Sequence, residues 1–427
     1  MKIATHTLGC KLNFAETSHI LRQFIQAGYE SVEFNEKADL YVINTCTVTS
    51  VAEKKCRNAI RQAISLNPDA IVAVIGCYAQ NEAKEVAQIP GVSIVLGNND
   101  KHRLFEIVTT SGVLSSEAGQ LTMNEEPKSF SLSYSVGDRT RTFFKIQDGC
   151  DYFCTYCAIP FARGRSRSAT ISETVTMAKE IASSGAKEIV LTGVNTGTFG
   201  LHTNESFIDL LREFDKIDGI ERFRISSIEP NLLTDEIIHF VKDSERFAHH
   251  FHIPLQAGSD KVLKQMHRRY DTDFYRHKIK SIKALMPDCC IAADLMVGFY
   301  GEGEREFAQT LEFIDSLPLS YLHVFPYSER PNTLALKMEE RVPVEERRRR
   351  CGEMLMLSEK KKREFYLQNQ GKQVVILWES DQKKGMMHGF TDNYIRVRKP
   401  FNSQSVNSLE TVTLGNLDEK NDVFDLG

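Results

Sequence analysis

Three cysteines lie close together in the sequence, at Cys150, Cys154 and Cys157 of the segment DGCDYFCTYC. The C-x3-C-x2-C spacing lets three thiolates of one loop reach three corners of a cubane iron–sulfur cluster, whereas a closed cluster takes four cysteines. A zinc knuckle is the alternative, but zinc sites usually add a second cysteine pair or histidines at a defined distance, and none follows here. The spacing therefore favours a cluster with one open iron, which could bind a substrate.

A second trio, Cys10, Cys46 and Cys77, is scattered, but each member follows a short apolar run. If these runs are neighbouring parallel strands, their ends lie on one edge of the sheet, where doubly wound folds bind ligands. Burial as a small hydrophobic residue is the commoner fate of a free cysteine. Three cysteines at the same structural position nevertheless favour a second cluster. The other four are interpreted as packing residues: Cys56, Cys289, Cys290 and Cys351.

The elements that must position these thiols follow from the alternation of apolar runs along the 427 residues. Residues 1–125 alternate strands with helices, which is typical of an α/β doubly wound parallel sheet. Residues 139–343 contain six further βα units, which suit an incomplete (β/α)6 barrel with functional residues at the carboxyl ends of its strands. Residues 344–370 read as a charged helical connector, and 371–427 as a small antiparallel β-barrel. Residues 111–138 are expected to form a linker or an irregular loop.

Bulk composition is that of a globular protein, with 41% hydrophobic and 26% charged residues and a net charge of −4. A nucleic-acid partner would therefore have to meet local basic patches. The longest apolar stretch, residues 70–79, is about half of the roughly 20 residues that a membrane-spanning helix needs. We expect no membrane association and a cytoplasmic location.

The tight trio, with Tyr156 just before its last cysteine, resembles the signature of radical S-adenosylmethionine enzymes. In that family the open iron binds the amino and carboxylate groups of S-adenosylmethionine, and one electron cleaves the sulfonium to give methionine and a 5′-deoxyadenosyl radical. The resemblance implies that Tyr156 lies beside the adenine. It also implies further cofactor contacts at strand ends, from Gly193, Asn195, Ser227, Glu229, Gln256 and Met296.

Together with the segments GCKLN, NTC and GCYAQ around the scattered trio, the chain resembles the methylthiotransferases over nearly its whole length. The resemblance implies two 4Fe–4S clusters and a C-terminal RNA-binding domain of the TRAM type. It also implies that the auxiliary cluster carries the sulfur that is methylated and then inserted into a C–H bond. Radical transfer requires near-contact geometry, so both domains must close on one target atom.

The substrate branch is indicated by Lys11 in TLGCKLNFAET, where the isopentenyl branch typically has Gln. This pattern resembles enzymes that act on threonylcarbamoyladenosine beside the tRNA anticodon. The same chemistry on isopentenyladenosine or on an aspartate of a ribosomal protein is the alternative. One departure from the family pattern is Tyr300, where Pro is common.

Local charge supports RNA, because residues 139–168 hold six Lys or Arg against two Asp. Phosphate contacts are expected from such strips, as is base stacking on Trp378 and Tyr394 in the C-terminal domain, although Trp378 fits a core position equally well. The candidate substrate contacts are Asn13, Asn44, Arg163, Arg165, Lys372, Arg396 and Arg398.

The expected partners are a tRNA anticodon stem-loop and an electron donor of the flavodoxin or ferredoxin type. A reading from another class is a non-catalytic iron–sulfur protein that binds RNA. Such a protein would yield no 5′-deoxyadenosine when it is reduced in the presence of S-adenosylmethionine.

Overall fold

The computed structural model describes residues 1–110, 121–137, 140–418, 420 and 422–426. Its N-terminal domain is built on a six-stranded parallel sheet with the strand order β2-β1-β3-β4-β5-β6. The strands are β1 (Lys2–Thr7), β2 (Glu30–Val32), β3 (Leu40–Thr45), β4 (Ile71–Gly76), β5 (Ile94–Leu96) and β6 (Leu121–Met123). The helices are α1 (Lys11–Gln26), α2 (Ser50–Leu66), α3 (Cys77–Asn81), α4 (Ala83–Ala87) and α5 (Leu104–Thr110).

The doubly wound sheet predicted from the sequence is confirmed, with differences at its edges. Strands β2 and β6 are three residues each and carry no long apolar run, so periodicity did not indicate them. Two short helices, α3 and α4, follow β4, and the first of these begins at Cys77 itself.

The segment expected to be a linker is more ordered than predicted. It supplies β6 to the N-terminal sheet and β7 (Ser133–Tyr134), which pairs antiparallel with the first barrel strand. Residues 111–120 and 138 of that segment lie outside the described residues. Each pairing covers two or three residues, too few for alternation to reveal a strand from the sequence.

All six βα units predicted for the central domain are present. Their strands are parallel and form two sheets. One has the order β12-β11-β8, with β7 added at its edge, and the other has the order β13-β14-β15. Single bridges between the β12 and β13 regions connect the two sheets. The strands are β8 (Thr142–Lys145), β11 (Glu188–Thr192), β12 (Arg222–Ile225), β13 (His250–His252), β14 (Cys290–Val297) and β15 (Tyr321–Pro326). A further antiparallel pair, β9 (Gln147–Asp148) with β10 (Arg167–Ser168), ties together the two ends of the cysteine loop.

Helices cover the outside of this incomplete barrel and bury its largest apolar core. They are α6 (Ile159–Arg163), α7 (Ile171–Ser183), α8 (Phe207–Phe214), α9 (Asp235–Asp243), α10 (Asp260–Gln265), α11 (Thr272–Leu285) and α12 (Glu304–Ser316). Tyr300, the departure noted above, is buried and packs edge-on against Tyr327 at 5.1 Å. Short 3-10 turns occur at Lys101–Arg103, Thr196–Thr198, Leu334–Lys337 and Ser403–Ser405.

The charged connector is one helix, α13 (Val344–Asn369), and it is less solvated than its composition suggests. Its inner face packs on β15 and buries Arg347 and Arg350, which pair with Glu329 (2.7 Å) and Glu302 (2.8 Å). The sequence contains few apolar residues here because ion pairs take their place on the buried face.

The C-terminal domain is a six-stranded sheet in the order β19-β16-β17-β18-β21-β20. It is antiparallel as predicted except for β18 with β21, which run parallel. The strands are β16 (Gln373–Trp378), β17 (Met386–Thr391), β18 (Arg396–Pro400), β19 (Leu409–Thr413), β20 (Asn416–Asp418) and β21 (Val423–Asp425).

This C-terminal domain closes the amino-terminal end of the barrel. Arg222 and Arg224 of β12 are buried, pair with Glu188 at the start of β11, and donate to backbone carbonyls of the C-terminal domain. The accepting carbonyls are those of Val375, Phe390, Thr391 and Asp392. None of the described helices is long and apolar enough to cross a membrane.

Candidate functional site

The auxiliary thiol set, Cys10, Cys46 and Cys77, lies at one edge of the N-terminal sheet. Each cysteine follows a strand, and the parallel register pairs Thr45 with Gly76, so Cys46 and Cys77 are the next residues on adjacent strands. Gly9 has a left-handed φ of 107°, and a Cβ there would lie 3.1 Å from the Cys46 sulfur. Only glycine therefore lets the Cys10 loop approach Cys46 so closely.

The thiols of this set affect the protonation of Cys46. Burial, together with the neighbouring Cys77 and Cys10, raises the pKa of Cys46 to about 12. Burial also raises the pKa of the Cys10 thiol, which remains accessible to solvent. A cation that binds all three sulfurs would remove this mutual penalty, because metal ligation favours the thiolate form.

Cys56 lies behind this set and acts as a support for it. Its thiol donates to the Cys46 carbonyl at 3.5 Å and accepts from the Cys46 amide at 3.4 Å. Cys289 and Cys290 are buried in apolar cores, as predicted for packing residues. Asn98, which the sequence did not indicate, donates from Nδ2 to the Cys77 sulfur at 3.6 Å.

The radical thiol set, Cys150, Cys154 and Cys157, lies on one loop between β9 and β10. Gly149 has a φ of 72°, and a Cβ there would lie 1.9 Å from the Arg165 carbonyl oxygen, so the tight entry to the loop requires glycine. Burial, together with the neighbouring thiols, raises the pKa of Cys150 to about 11 and that of Cys157 to about 12.

One buried guanidinium organises the radical thiol set. Arg268 donates from Nη1 to the Cys154 sulfur at 3.2 Å and to the Tyr156 hydroxyl at 3.4 Å. Its Nε donates to Tyr270 at 3.0 Å, and its Nη2 to Glu229. We call these five residues the Arg268 network. The sequence did not indicate Arg268, which lies in a polar HRRYD segment beyond α10.

The predicted cofactor contacts lie around the same end of the barrel. Asn195 is buried, its amide donates to Gln147 at 2.9 Å, and its Nδ2 has no partner among the described residues. An unsatisfied buried amide is what a site for a polar ligand would leave. Gln256 takes a left-handed φ of 69° after β13. The remaining contacts are Gly193 beside Gln147, half-buried Ser227 bridging to His252, and Met296, whose amide donates to the Gln256 carbonyl.

Both thiol sets flank the interface where the N-terminal domain packs on the barrel. Helix α3, which begins at Cys77, packs against α6, which follows Cys157. Asn98 donates both to the Cys77 sulfur and to the Ala162 carbonyl of α6 at 2.7 Å, so one side chain connects the two helices. The elements that carry the two sets are therefore in direct contact.

A buried ionic cluster, the Arg163 network, fixes this interface. Arg163 donates to Asp148 at 2.8 Å, to Glu16 at 3.3 Å and to the Asn13 Oδ1 at 2.5 Å. Burial alone would raise the pKa of Glu16, but the surrounding cations outweigh it and lower that pKa. The remaining members are Lys101, Lys145 and Arg167.

These placements correct three predicted substrate contacts. Arg163 is 1% exposed and ion-paired within the protein, so it is not available to RNA phosphates. Asn13 is buried and donates to the carbonyls of Leu8 and Thr45, and these two hydrogen bonds connect two of the cysteine loops. Asn44 is buried and donates to the Asn13 carbonyl at 3.0 Å. Both asparagines hold the auxiliary loops in place.

The barrel interior beneath the thiols, which we call the lumen, is lined by polar groups from all three domains. Lys11 is accessible, yet the surrounding protein lowers its pKa. Burial is the main cause of the lowered pKa of His323, and Lys11 adds a small contribution. Burial alone would raise the pKa of Tyr394, but Arg141 and Lys11 lower it. In the lumen His252 bonds to Asp294 at 2.9 Å. Three side chains in the lumen have the spacing of metal ligands, namely His252, Asp294 and His323. Lys11 and Arg268 place positive charge near them, which disfavours a bound cation.

Tyr394 closes the floor of the lumen. Arg224 lies over its ring at 5.0 Å, and His250 lies beside it at the same distance. His250 is buried, and neither of its ring nitrogens has a partner in the described part of the chain. Tyr394 therefore faces the interior, and the prediction that it stacks on RNA bases at the surface is corrected.

The other candidate RNA contacts differ in availability. Arg165 has a side chain that is 69% exposed and lies over Phe153 at 4.6 Å. Arg398 forms an ion pair with Asp425 at 2.6 Å. Lys372 forms an ion pair with Asp288, and these two residues line a surface groove of about 670 Å³. Arg396 is half-buried. Trp378 is buried in the C-terminal core, which excludes base stacking and leaves its other predicted role, as a core residue.

The donor chemistry of both thiol sets fits three-cysteine iron–sulfur clusters. Each set offers three sulfurs without a disulfide, and hydrogen-bond donors stand beside a sulfur in each, Asn98 at Cys77 and Arg268 at Cys154. Soft thiolates select such clusters.

Comparison with known families separates the same two regions. Residues 2–97 match the family described as "Uncharacterized protein family UPF0004". Residues 144–314 match the radical SAM superfamily. Each thiol set thus falls within one matched region.

Curated relatives match nearly the whole chain. Threonylcarbamoyladenosine tRNA methylthiotransferase MtaB of Bacillus subtilis is 40% identical over 409 residues, covering 92% of this chain and 89% of that protein. The Aquifex aeolicus protein of the same name is 38% identical, covering 93% and 97%. A tRNA-2-methylthio-N(6)-dimethylallyladenosine synthase of Clostridium tetani is 33% identical, covering 90% and 87%.

Among solved structures, the radical S-adenosylmethionine methyltransferase TsrM of Kitasatospora setae superposes with a TM-score of 0.55. The two chains are 13% identical, and the match covers 78% of this chain and 76% of that one. At this identity the likeness concerns the fold alone.

Proposed function

This chain belongs to the radical S-adenosylmethionine methylthiotransferases, and we propose that it converts threonylcarbamoyladenosine beside the tRNA anticodon to its 2-methylthio form. The observation that carries the proposal is that two three-thiol sets flank one interface, which opens on a lumen lined with cationic groups. Methylthiolation of a C–H bond needs both a radical source and a sulfur source at one carbon atom.

When bound, the two clusters and S-adenosylmethionine supply the electron, the 5′-deoxyadenosyl radical, the sulfur and the methyl group. The radical thiol set would hold one cluster, with Tyr156 and the strand-end residues Asn195, Glu229 and Gln256 orienting S-adenosylmethionine. The auxiliary thiol set would hold the other. The C-terminal domain closes the far end of the lumen and so helps to exclude water from the radical.

The lumen supports threonylcarbamoyladenosine over isopentenyladenosine. A threonylcarbamoyl group ends in a carboxylate, whereas an isopentenyl group is purely hydrocarbon. Lys11 carries a charge for which the described residues provide no ion pair, and it shares the lumen with His323 and Tyr394. A cation in the lumen without a protein counter-ion favours an anionic ligand. The isopentenyl target is the second candidate, because relatives such as the Clostridium tetani enzyme carry that name.

RNA contact is proposed for exposed Arg165 with Phe153, beside the radical loop, where phosphate and base stacking can be combined. Reduction requires an electron donor, for which we propose a small flavodoxin or ferredoxin. Because the proposed substrate is tRNA, we propose a cytoplasmic location.

The test is nucleoside mass spectrometry of tRNA from a strain that lacks the gene. Loss of 2-methylthio-threonylcarbamoyladenosine, restored by the wild-type gene, is expected. Undiminished product in the deletion strain would contradict the proposal. Loss of the isopentenyl derivative instead would favour the second candidate.

A further inference from the structure

We propose that Arg268 and Arg163 are positioning residues that set the reduction potentials of the two clusters separately, one arginine for each thiol set. The inference rests on the proposed function in one respect, namely that both sets hold iron–sulfur clusters. Different side chains of this chain would then set the potential at each of the two sites.

Arg268 acts directly on a ligand sulfur. Its guanidinium is 2% exposed, and Nη1 lies 3.2 Å from the Cys154 sulfur. Glu229 pairs with Nη2, and Tyr270 accepts from Nε, so the fork is held in one orientation. Burial alone would lower the pKa of Arg268, but Tyr156, Tyr270 and Glu229 raise it well above its ordinary value, so it stays charged.

Arg163 acts on the auxiliary set through charge and through Asn13. The Arg163 network places four cationic side chains around two carboxylates, so positive charge is in excess there. Burial alone would lower the pKa of Arg163, but the carboxylates of Asp148 and Glu16 raise it. The Asn13 Oδ1 accepts a hydrogen bond of 2.5 Å from Arg163. Its Nδ2 donates to two loop carbonyls near Cys10 and Cys46.

The physical effect follows from charge. Reduction adds an electron to a cluster that thiolates already make negative, so a nearby cation or N–H···S bond stabilises the reduced form and raises its potential. Two separate arginines, in two hydrogen-bond networks that share no member, allow the two potentials to differ. An enzyme with this architecture can then reduce the cluster that cleaves S-adenosylmethionine without fixing the electron count of the other.

The experiment is an anaerobic redox titration of full-length, reconstituted protein, followed by electron paramagnetic resonance. Signals are assigned with two variants, one with Cys10, Cys46 and Cys77 changed to Ala and one with Cys150, Cys154 and Cys157 changed to Ala. We expect Arg268→Gln to lower the potential of the radical cluster by at least about 59 mV, the one-electron equivalent of a tenfold change. Arg163→Gln should do the same to the auxiliary cluster, and each should leave the other cluster nearly unchanged.

Arg269→Gln is the matched control, because Arg269 is the exposed neighbour of Arg268 and bonds to the Asp151 carbonyl instead of a sulfur. It should shift neither potential. If Arg163→Gln does not load iron, Arg163→Lys replaces it, since lysine keeps the charge but cannot make both the Asp148 and the Asn13 bonds, so it should lower the auxiliary potential alone and by less. Equal shifts of both clusters, or none, would overturn the inference.

Failure of the proposed function has a different signature. Normal iron loading and separate potentials without any methylthiolated RNA would remove the proposed function and leave the inference standing. An iron content that shows no second cluster would remove both.

Discussion

Glu188→Gln tests whether the C-terminal domain is fixed to the barrel floor by buried charge. Glu188 is completely buried and accepts from Arg222 at 3.2 Å and from Arg224 at 2.8 Å. Burial alone would raise its pKa, but Arg224, Arg222 and Arg141 lower it from 4.5 to about 2. Each pKa unit corresponds to about 1.4 kcal/mol, so the ion pairs contribute about 3 kcal/mol to the free energy of unfolding at neutral pH.

The sign of the pH dependence follows from the lowered pKa. The contribution of Glu188 is fully present above its ordinary pKa of 4.5 and is lost as the pH falls towards about 2. Replacement by Gln removes it at every pH and leaves two buried guanidinium groups short of a counter-ion, which costs about 3–5 kcal/mol. At about 2–4 °C per kcal/mol for an unfolding unit of about 150–250 residues, the melting temperature at pH 7 should fall by about 6–20 °C.

The assay is differential scanning calorimetry of cluster-free protein, wild type beside variant, at pH 7 and pH 3, because iron–sulfur clusters decompose in acid. The difference between the two proteins should shrink at pH 3, because Glu188 of the unfolded wild type then binds a proton and part of the ion-pair contribution is lost. Glu221→Gln is the control, since Glu221 is half exposed and pairs only loosely with Lys187 at 3.4 Å. Exposed pairs contribute at most about 1 kcal/mol. If Glu188→Gln melts no lower than Glu221→Gln, the reasoning from buried charge is refuted.

Three further predictions concern the site and the C-terminal core. Cys46→Ala should abolish methylthiolation, remove roughly half of the bound iron and spare cleavage of S-adenosylmethionine, because the radical cluster has its own three ligands; loss of 5′-deoxyadenosine would argue against separate clusters. Lys11→Gln should lower kcat/KM about 10- to 100-fold on RNA carrying threonylcarbamoyladenosine, and much less when the threonine carboxylate is replaced by a carboxamide, because a charged hydrogen bond contributes about 1.5–3 kcal/mol; equal losses on both RNAs would contradict this. Trp378→Ala should destabilise the C-terminal domain by about 3–5 kcal/mol in thermal unfolding, whereas Val375→Ala, on the same strand with an exposed side chain, should change little.

Much of the fold could be predicted because it is written in local periodicity. Six βα units, and cysteines at the ends of three strands, follow from runs of four to eight apolar residues. Strand parallelism then brings Cys10, Cys46 and Cys77 together without any knowledge of loops. The same logic failed for β2, β6 and β7, which are two or three residues long and owe their pairing to neighbours distant in sequence.

Charged residues were harder to interpret, because their partners lie far away along the chain. In the segment ARGRSRS every second residue is Arg, and the charge pattern alone predicts that all three arginines belong to one basic strip. Arg163 is buried against Glu16, which is 147 residues away, whereas Arg165 is exposed. Arg268 was missed for the same reason, since its partner Cys154 is 114 residues distant. Periodicity contains no information about such pairs.

The closure of the barrel by the C-terminal domain has a consequence for the order of folding. Arg222 receives part of its hydrogen bonding from the carbonyl of Phe390, 168 residues later in the chain. While the protein is being synthesised, that arginine and Arg224 must therefore remain hydrated, and the barrel floor stays open until the last strands leave the ribosome. A nascent or truncated chain would have a wet, unsealed lumen, in which a radical could react with water or small reductants. The barrel is therefore closed, and can bind its cofactors safely, only after the C-terminal domain has folded against it.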